Sequence, residues 1–150
     1  MGIFPTRILL ATDGSQDALA LRAALDLSFS TASELHVVHA WQAFPEYSHP
    51  SIAMASDSAL YEREAQEVLF EQLDKIEEAG AIAAAAHLKR GRTAETITDV
   101  AKDLGAGLIV MGSRGLGGVR RALMGSVSDS VVRHAHCPVL VVRQEKERTA

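Results

Sequence analysis

The chain lacks most of what would place it outside the compact globular classes. Cys137 is the only cysteine in 150 residues, which excludes an internal disulfide framework. No apolar run approaches the roughly 18 residues that a membrane-spanning helix requires. A large excess of one charge is missing too. The net charge is −4 and the pI about 5.8, which argues against a nucleic-acid protein held by phosphate neutralisation. Wholesale disorder is excluded by the 47% of hydrophobic residues, enough aliphatic surface for a core. A secretory leader would need a basic start and a longer apolar stretch than Ile8–Ala11. The opening Met1–Thr6 fits the loose N-myristoylation pattern, but no basic cluster supplies the second signal that stable anchoring needs. The expectation is one cytoplasmic domain over residues 1–150, able at this length to bury about 68–70% of its unfolded surface.

What is present is an alternation of short apolar runs and helical patterns. Arg7–Thr12 reads as a strand covered on both faces. Asp13-Gly14-Ser15 breaks it, with Ser15 as N-cap of a helix from Gln16 to about Phe29. Glu34–Ala40 is a second strand, followed by a polar stretch, Trp41–Ser58, that reads as a mobile loop or lid. A long helix is predicted from about Ala59 to Ala79, apolar at Ala65, Val68, Leu69, Gln72/Leu73 and Ile76, with Glu62–Glu78 filling a solvated face. Gly80 sits where a left-handed cap would end it. Ala81–Leu88 is helical by alanine propensity but a strand by context. Thr93 can cap a helix that turns Ile97, Val100, Ala101 and Leu104 inward. Leu108–Met111 and Val139–Val142 are strands, with a helix near Ser126–His134 between them.

Strands separated by helices run parallel, and right-handed crossovers put helices on both faces of an open sheet. The predicted fold is therefore α/β, an open five-stranded parallel sheet without internal repeat or linker. Ligands in such sheets lie beyond the carboxyl ends of the strands, where strand order reverses. That directs attention to Thr12–Gly14, His39–Trp41 and the segment after Met111.

That last segment, Met111–Val127, holds five of the chain's 11 glycines. Glycine lets backbone approach a ligand closely, and a helix starting near Gly125-Ser126 offers free N–H groups and a positive dipole end to an anion. Arg114, Arg120 and Arg121 add positive charge. The alternative is a glycine-rich surface loop with Ser126 acting only as an N-cap. The P-loop pattern, the dinucleotide fingerprint and the nucleophile elbow are all absent, so a phosphate site here is of another type.

On Gly112, Gly115, Gly125 and Ser126, spaced Gly-2x-Gly-9x-Gly-Ser, the sequence resembles the ATP-binding branch of the universal stress protein family. The likeness runs along almost the whole chain, through ILLATDGS with Asp13, LHVVHA, LIVMGSRG and the closing CPVLVV. It implies a Rossmann-like fold of the adenine nucleotide alpha hydrolase type. It also implies a pocket in which Ala11, Thr12 and Asp13 line the nucleoside side and Ala40 meets adenine through its backbone. Met111 and Gly112 would contact the ribose, Gly115 would lie near the phosphates, and Gly125, Ser126 and Val127 would bind the phosphate chain. ATP, with Mg²⁺ but without a dedicated carboxylate cage, is the implied ligand, and ADP and AMP stay open. A homodimer through the last strand and a regulatory protein partner are implied as well. Gly107 departs from the pattern, since the family often has an acid there.

Three readings of function remain side by side: a nucleotide-dependent stress-response switch, a slow ATP hydrolase, and a structural dimer with an empty pocket. No convincing base is identifiable, so turnover should be weak at most. Among the remaining polar residues, His36 and His39 lie three apart on one strand and should face opposite ways, with His39 read as a packed histidine. His134-Ala135-His136-Cys137 reads as a helix end rather than a zinc site, which usually takes four ligands. Cys137 reads as a reduced, small side chain.

Overall fold

The computed structural model describes residues 2–13, 18–42, 55–113 and 125–143. Its elements alternate as expected: β1 (Arg7–Ala11), α1 (Ala18–Thr31), β2 (Glu34–Trp41), α2 (Ala55–Glu78), β3 (Ala85–Arg90), α3 (Thr93–Leu104), β4 (Leu108–Gly112), α4 (Ser126–His134) and β5 (Val139–Val142). The five strands form one parallel sheet in the order β3-β2-β1-β4-β5. Strand order reverses between β1 and β4. No described helix is long and apolar enough to cross a membrane.

The continuous apolar run of β1 follows from its central place. Ile8 and Leu10 join Leu35, Val37, Leu108 and Val110 in a cluster closed by α1 and α2. Leu9 points the other way, into a cluster with Val38, Ile109 and Met111 under Ile97, Val100 and Ala101 of α3 and Val131 of α4. Both faces exclude water, so both alternating sets of side chains must be apolar. The acidic run of α2 is solvent-exposed as the periodicity predicts, while Ala65, Leu69, Gln72 and Ile76 are buried.

Several boundaries differ from expectation. The stretch expected to be a loop from Trp41 to Ser58 begins on the last residue of β2 and ends inside α2, which starts at Ala55; residues 43–54 lie outside the described set. The third strand is shifted to Ala85–Arg90, because its register is set by pairing with β2 (His36 with Ala85, Val38 with His87) and the alanine run has no pattern of its own. Thr93 is not a cap. The N-cap of α3 is Arg92, without a side-chain capping bond, and Thr93 is the first helical residue. Gly80 does adopt the left-handed cap, at φ +84°. Ser15 lies outside the described residues.

Gly107, the departure noted above, has a local cause. Its N–H donates to the Arg7 carbonyl at 3.0 Å, which draws the α3–β4 turn onto the start of β1. A Cβ at position 107 would overlap the Thr6 hydroxyl and lie 2.9 Å from both Thr6 carbons, Cβ and Cγ2. Replacing Gly107→Ala should therefore cost about 1–3 kcal/mol in urea unfolding, the usual scale for overpacking. Adding Thr6→Ala should recover part of that loss.

Candidate functional site

The carboxyl ends of β2, β1 and β4 lie side by side in the parallel sheet, and the end of β4 is tied to the start of α4. Ala11, Met111 and Val127 pack with the same apolar cluster under α3 and α4. Ala40 lies two residues beyond Val38 of that cluster, so strand alternation puts it on the same face. Ala40 and Met111 are buried, and Ala11, Thr12, Asp13, Gly112, Gly125 and Val127 are half-buried. Nine of the ten sequence-predicted site residues thus fall at one end of the sheet, around the switch point between β1 and β4. The tenth, Gly115, lies outside the described residues.

Hydrogen bonds fix the two rims of this region. On one rim, the Thr12 N–H donates to the Val38 carbonyl at 3.0 Å, and the Thr12 carbonyl lies 2.8 Å from His39 Nδ1. A carbonyl only accepts, so Nδ1 carries the proton and the imidazole donates. His39 stands on the opposite face of β2 from Ala40 and is buried, as a packed histidine should be. What its packing accomplishes is to hold the turn that leads into Asp13.

On the other rim, the Gly125 N–H donates to the Ser113 carbonyl at 2.6 Å, and the Ser113 N–H donates to the Val142 carbonyl at 2.9 Å. Ser128, 2% exposed, sends its hydroxyl toward the Gly125 carbonyl at 3.1 Å and the Ser113 carbonyl at 3.4 Å. These contacts clamp the start of α4 to the ends of β4 and β5. Sequence reasoning missed Ser113 and Ser128. A signal for Ser128 existed, because it lies three residues before the fully buried Val131 on the inward stripe of α4.

The cap of α4 is Gly125, at φ −71° and ψ 165° without a side-chain capping bond, and Ser126 is the first helical residue. That corrects the alternative in which Ser126 serves only as an N-cap. The first helical backbone bond runs from Asp129 N–H to the Gly125 carbonyl at 2.9 Å. The amides of Ser126, Val127 and Ser128 precede it and have no backbone acceptor among the described residues. The Ser126 side chain is exposed. Chemically, the first turn of such a helix offers N–H donors, a positive dipole end and a hydroxyl.

The remaining polar candidates lie elsewhere. His134 closes α4, its Nδ1 2.8 Å from the Ser130 carbonyl. Burial pushes the Cys137 thiol above its ordinary value, against a smaller opposing effect from a backbone bond with Ile109, so it is not an activated nucleophile. Among the described residues, no three His, Cys, Asp or Glu side chains converge as metal ligands.

Comparison with known proteins agrees with this architecture. Residues 5–143 match the model of the universal stress protein family. A universal stress protein of Thermus aquaticus is 39% identical over 145 residues, covering 91% of this chain and 97% of that protein. The structure of UspA from Lactobacillus plantarum superposes with a TM-score of 0.79 at 24% identity, over 93% of this chain and 99% of the other. A universal stress protein from Archaeoglobus fulgidus, solved in complex with dAMP, matches with a TM-score of 0.65 at 25% identity, over 90% of this chain and 95% of that one.

The His39 bond has a direct test. His39→Leu keeps bulk but leaves the Thr12 carbonyl without its imidazole donor, and should lower stability by about 1–3 kcal/mol in thermal unfolding. His39→Asn, which places an amide N–H near the Nδ1 position, should recover part of it.

Proposed function

Because the chain belongs to the universal stress protein family, we propose that it is an ATP-binding, nucleotide-dependent switch of the stress response. The observation that carries this reading is the mouth of α4. Gly125 has an extended conformation open to any residue, so its backbone does not require glycine. In this reading the missing side chain leaves room for phosphate beside the amides of Ser126 and Val127. The Archaeoglobus fulgidus relative in complex with dAMP supports an adenine nucleotide as the ligand class.

In this reading adenine lies along the backbone of Ala40, and the ribose rests on Met111 and Gly112. Ala11, Thr12 and Asp13 line the nucleoside side. The phosphates meet the amides of Ser126 and Val127, the Ser126 hydroxyl and Gly115. The Gly125 N–H is already engaged by Ser113, so Gly125 serves through the space it leaves. Mg²⁺ travels with the triphosphate, since it keeps several waters and binds through phosphates and one or two carboxylates. Asp13 is the carboxylate at this strand end. The metal would supply charge neutralisation for the triphosphate.

Bound triphosphate would bracket residues 115–125 and so set the surface that a regulatory protein reads. The reading assigns binding rather than turnover, because no residue is allotted the task of orienting an attacking water. It places the protein in the cytoplasm, as a homodimer. Support for the dimer comes from β5, which is an edge strand and leaves Leu140 exposed. An uncovered apolar edge is a ready pairing surface.

Two outcomes check this reading. Calorimetry should detect ATP binding, and Gly125→Val should abolish it while leaving the unfolding transition nearly in place. No heat at millimolar ATP would end the proposal. Light scattering at micromolar concentration should give twice the 16.0 kDa chain mass, and Leu140→Lys should return it to the monomer value.

A further inference from the structure

A second polar assembly lies at the other end of the sheet, on β1, β2 and β3. Arg7 Nε donates to Glu34 Oε2 at 3.2 Å, and Arg7 Nη1 to the Leu104 carbonyl at 2.7 Å. The same carboxylate oxygen lies 3.1 Å from His36 Nε2. His36 Nδ1 in turn lies 3.4 Å from His87 Nε2. The ring centroids are 5.7 Å apart with planes inclined by 18°. The centroid separation exceeds the nitrogen–nitrogen distance by about two ring radii, so the nitrogens aim at one another almost in a common plane, edge to edge rather than face to face. The His36 side chain is 7% exposed, and His87 is half-buried on an edge strand.

Proton counting follows from this geometry. A carboxylate only accepts, so His36 Nε2 carries a proton. Between His36 Nδ1 and His87 Nε2 there is place for one proton, donated by either ring and accepted by the other. The assembly thus holds one positive charge on its two imidazoles at most. A second would set two N–H groups against each other. We infer that the β2–β3 seam is an acid-sensitive latch: a second proton on the His36–His87 pair breaks their bond and loosens the edge strand β3.

The surrounding charges favour this. On the same face, β1 contributes Arg7, β2 contributes Glu34 and β3 contributes Lys89. From α3, Ile97, Val100 and Ala101 face the sheet, while Arg92, Glu95, Asp99, Lys102 and Asp103 are exposed. α2 covers the opposite face. Burial, then the proximity of His36, then Lys89, push His87 below the ordinary histidine value. The His36 hydrogen bond, helped by Arg7, holds Glu34 below the usual carboxylate range, so Glu34 stays ionised while His87 takes up its proton. Below the unfolded histidine value of 6.5 the unfolded chain binds more protons than the folded one, so stability falls as pH falls towards the lowered His87 value. The loosened strand is also the one whose far end meets the candidate site, through Gly91 N–H to the Trp41 carbonyl at 2.9 Å and Arg90 set 5.5 Å from the Trp41 ring centroid. The latch is independent of whether a nucleotide binds.

The test is amide hydrogen exchange of the full chain, corrected for intrinsic rates. Between about pH 7.5 and about pH 5.5, a window that brackets ordinary histidine titration, protection of the β3 amides should fall by about tenfold relative to those of β4, the scale of one lost hydrogen bond. His87→Gln keeps an N–H donor for His36 Nδ1 but takes up no proton, and its β3 protection should not change with pH. Equal behaviour of β3 and β4 in the unmodified protein, or the same loss in His87→Gln, would overturn the inference. Long-range nitrogen–proton spectra of the unmodified protein give a second readout. Two independent one-site titration curves for His36 and His87 would equally rule it out.

Discussion

The bond from the Gly125 amide to the Ser113 carbonyl holds the candidate site together. Without it, the end of β4 and the start of α4 are separate pieces of chain joined through residues 114–124. With it, the first turn of a helix is set against the carboxyl edge of a parallel sheet, beside the point where strand order reverses. Ser128 adds a second grip from inside the helix, and the Ser113 amide passes the hold on to β5. These bonds hold the start of the helix in place, and holding a binding turn rigid lowers the cost of ordering it.

The electrostatic consequence is modest in size and specific in place. A helix terminus contributes roughly 0.3–1 kcal/mol toward a nearby charge, too little for tight binding by itself. Its value lies in direction, since the amides of Ser126 and Val127 stand in the same first turn of α4. The opposite rim is held from the other face of the sheet, through His39 and the Thr12 carbonyl. β2 therefore serves two purposes at its carboxyl end. Ala40 faces the side of the sheet covered by α3 and α4, and His39, on the other face, fastens the end of β1.

The order of elements was legible from the sequence because every strand except β3 holds a short apolar run bounded by glycine or polar residues. The acidic face of α2 was legible from its period. The boundaries of β3 were not, since Ala81–Ala86 carries only one larger side chain and its register depends on β2. The helix caps were read too readily from side-chain type: Thr93 and Ser126 are capping residues by chemistry, yet each stands one place inside its helix. Of the site, the glycines and backbone positions were visible through spacing and family likeness. Ser113, Ser128 and the His36–His87 pair were not, because their partners are 15 residues away for Ser128 and Ser113 and 51 for the histidines, and only the folded register brings them together.

The central claim is that a nucleotide's phosphates rest on the first-turn amides of α4. Backbone amide chemical shifts, followed while ATP and then adenosine are titrated into the isotope-labelled protein, test it most directly. The account predicts that Ser126 and Val127 move with ATP and stay still with adenosine, while Ala40 and Gly112 move with both. Shifts at Ser126 and Val127 that are the same for the two ligands, or missing for ATP, would contradict it.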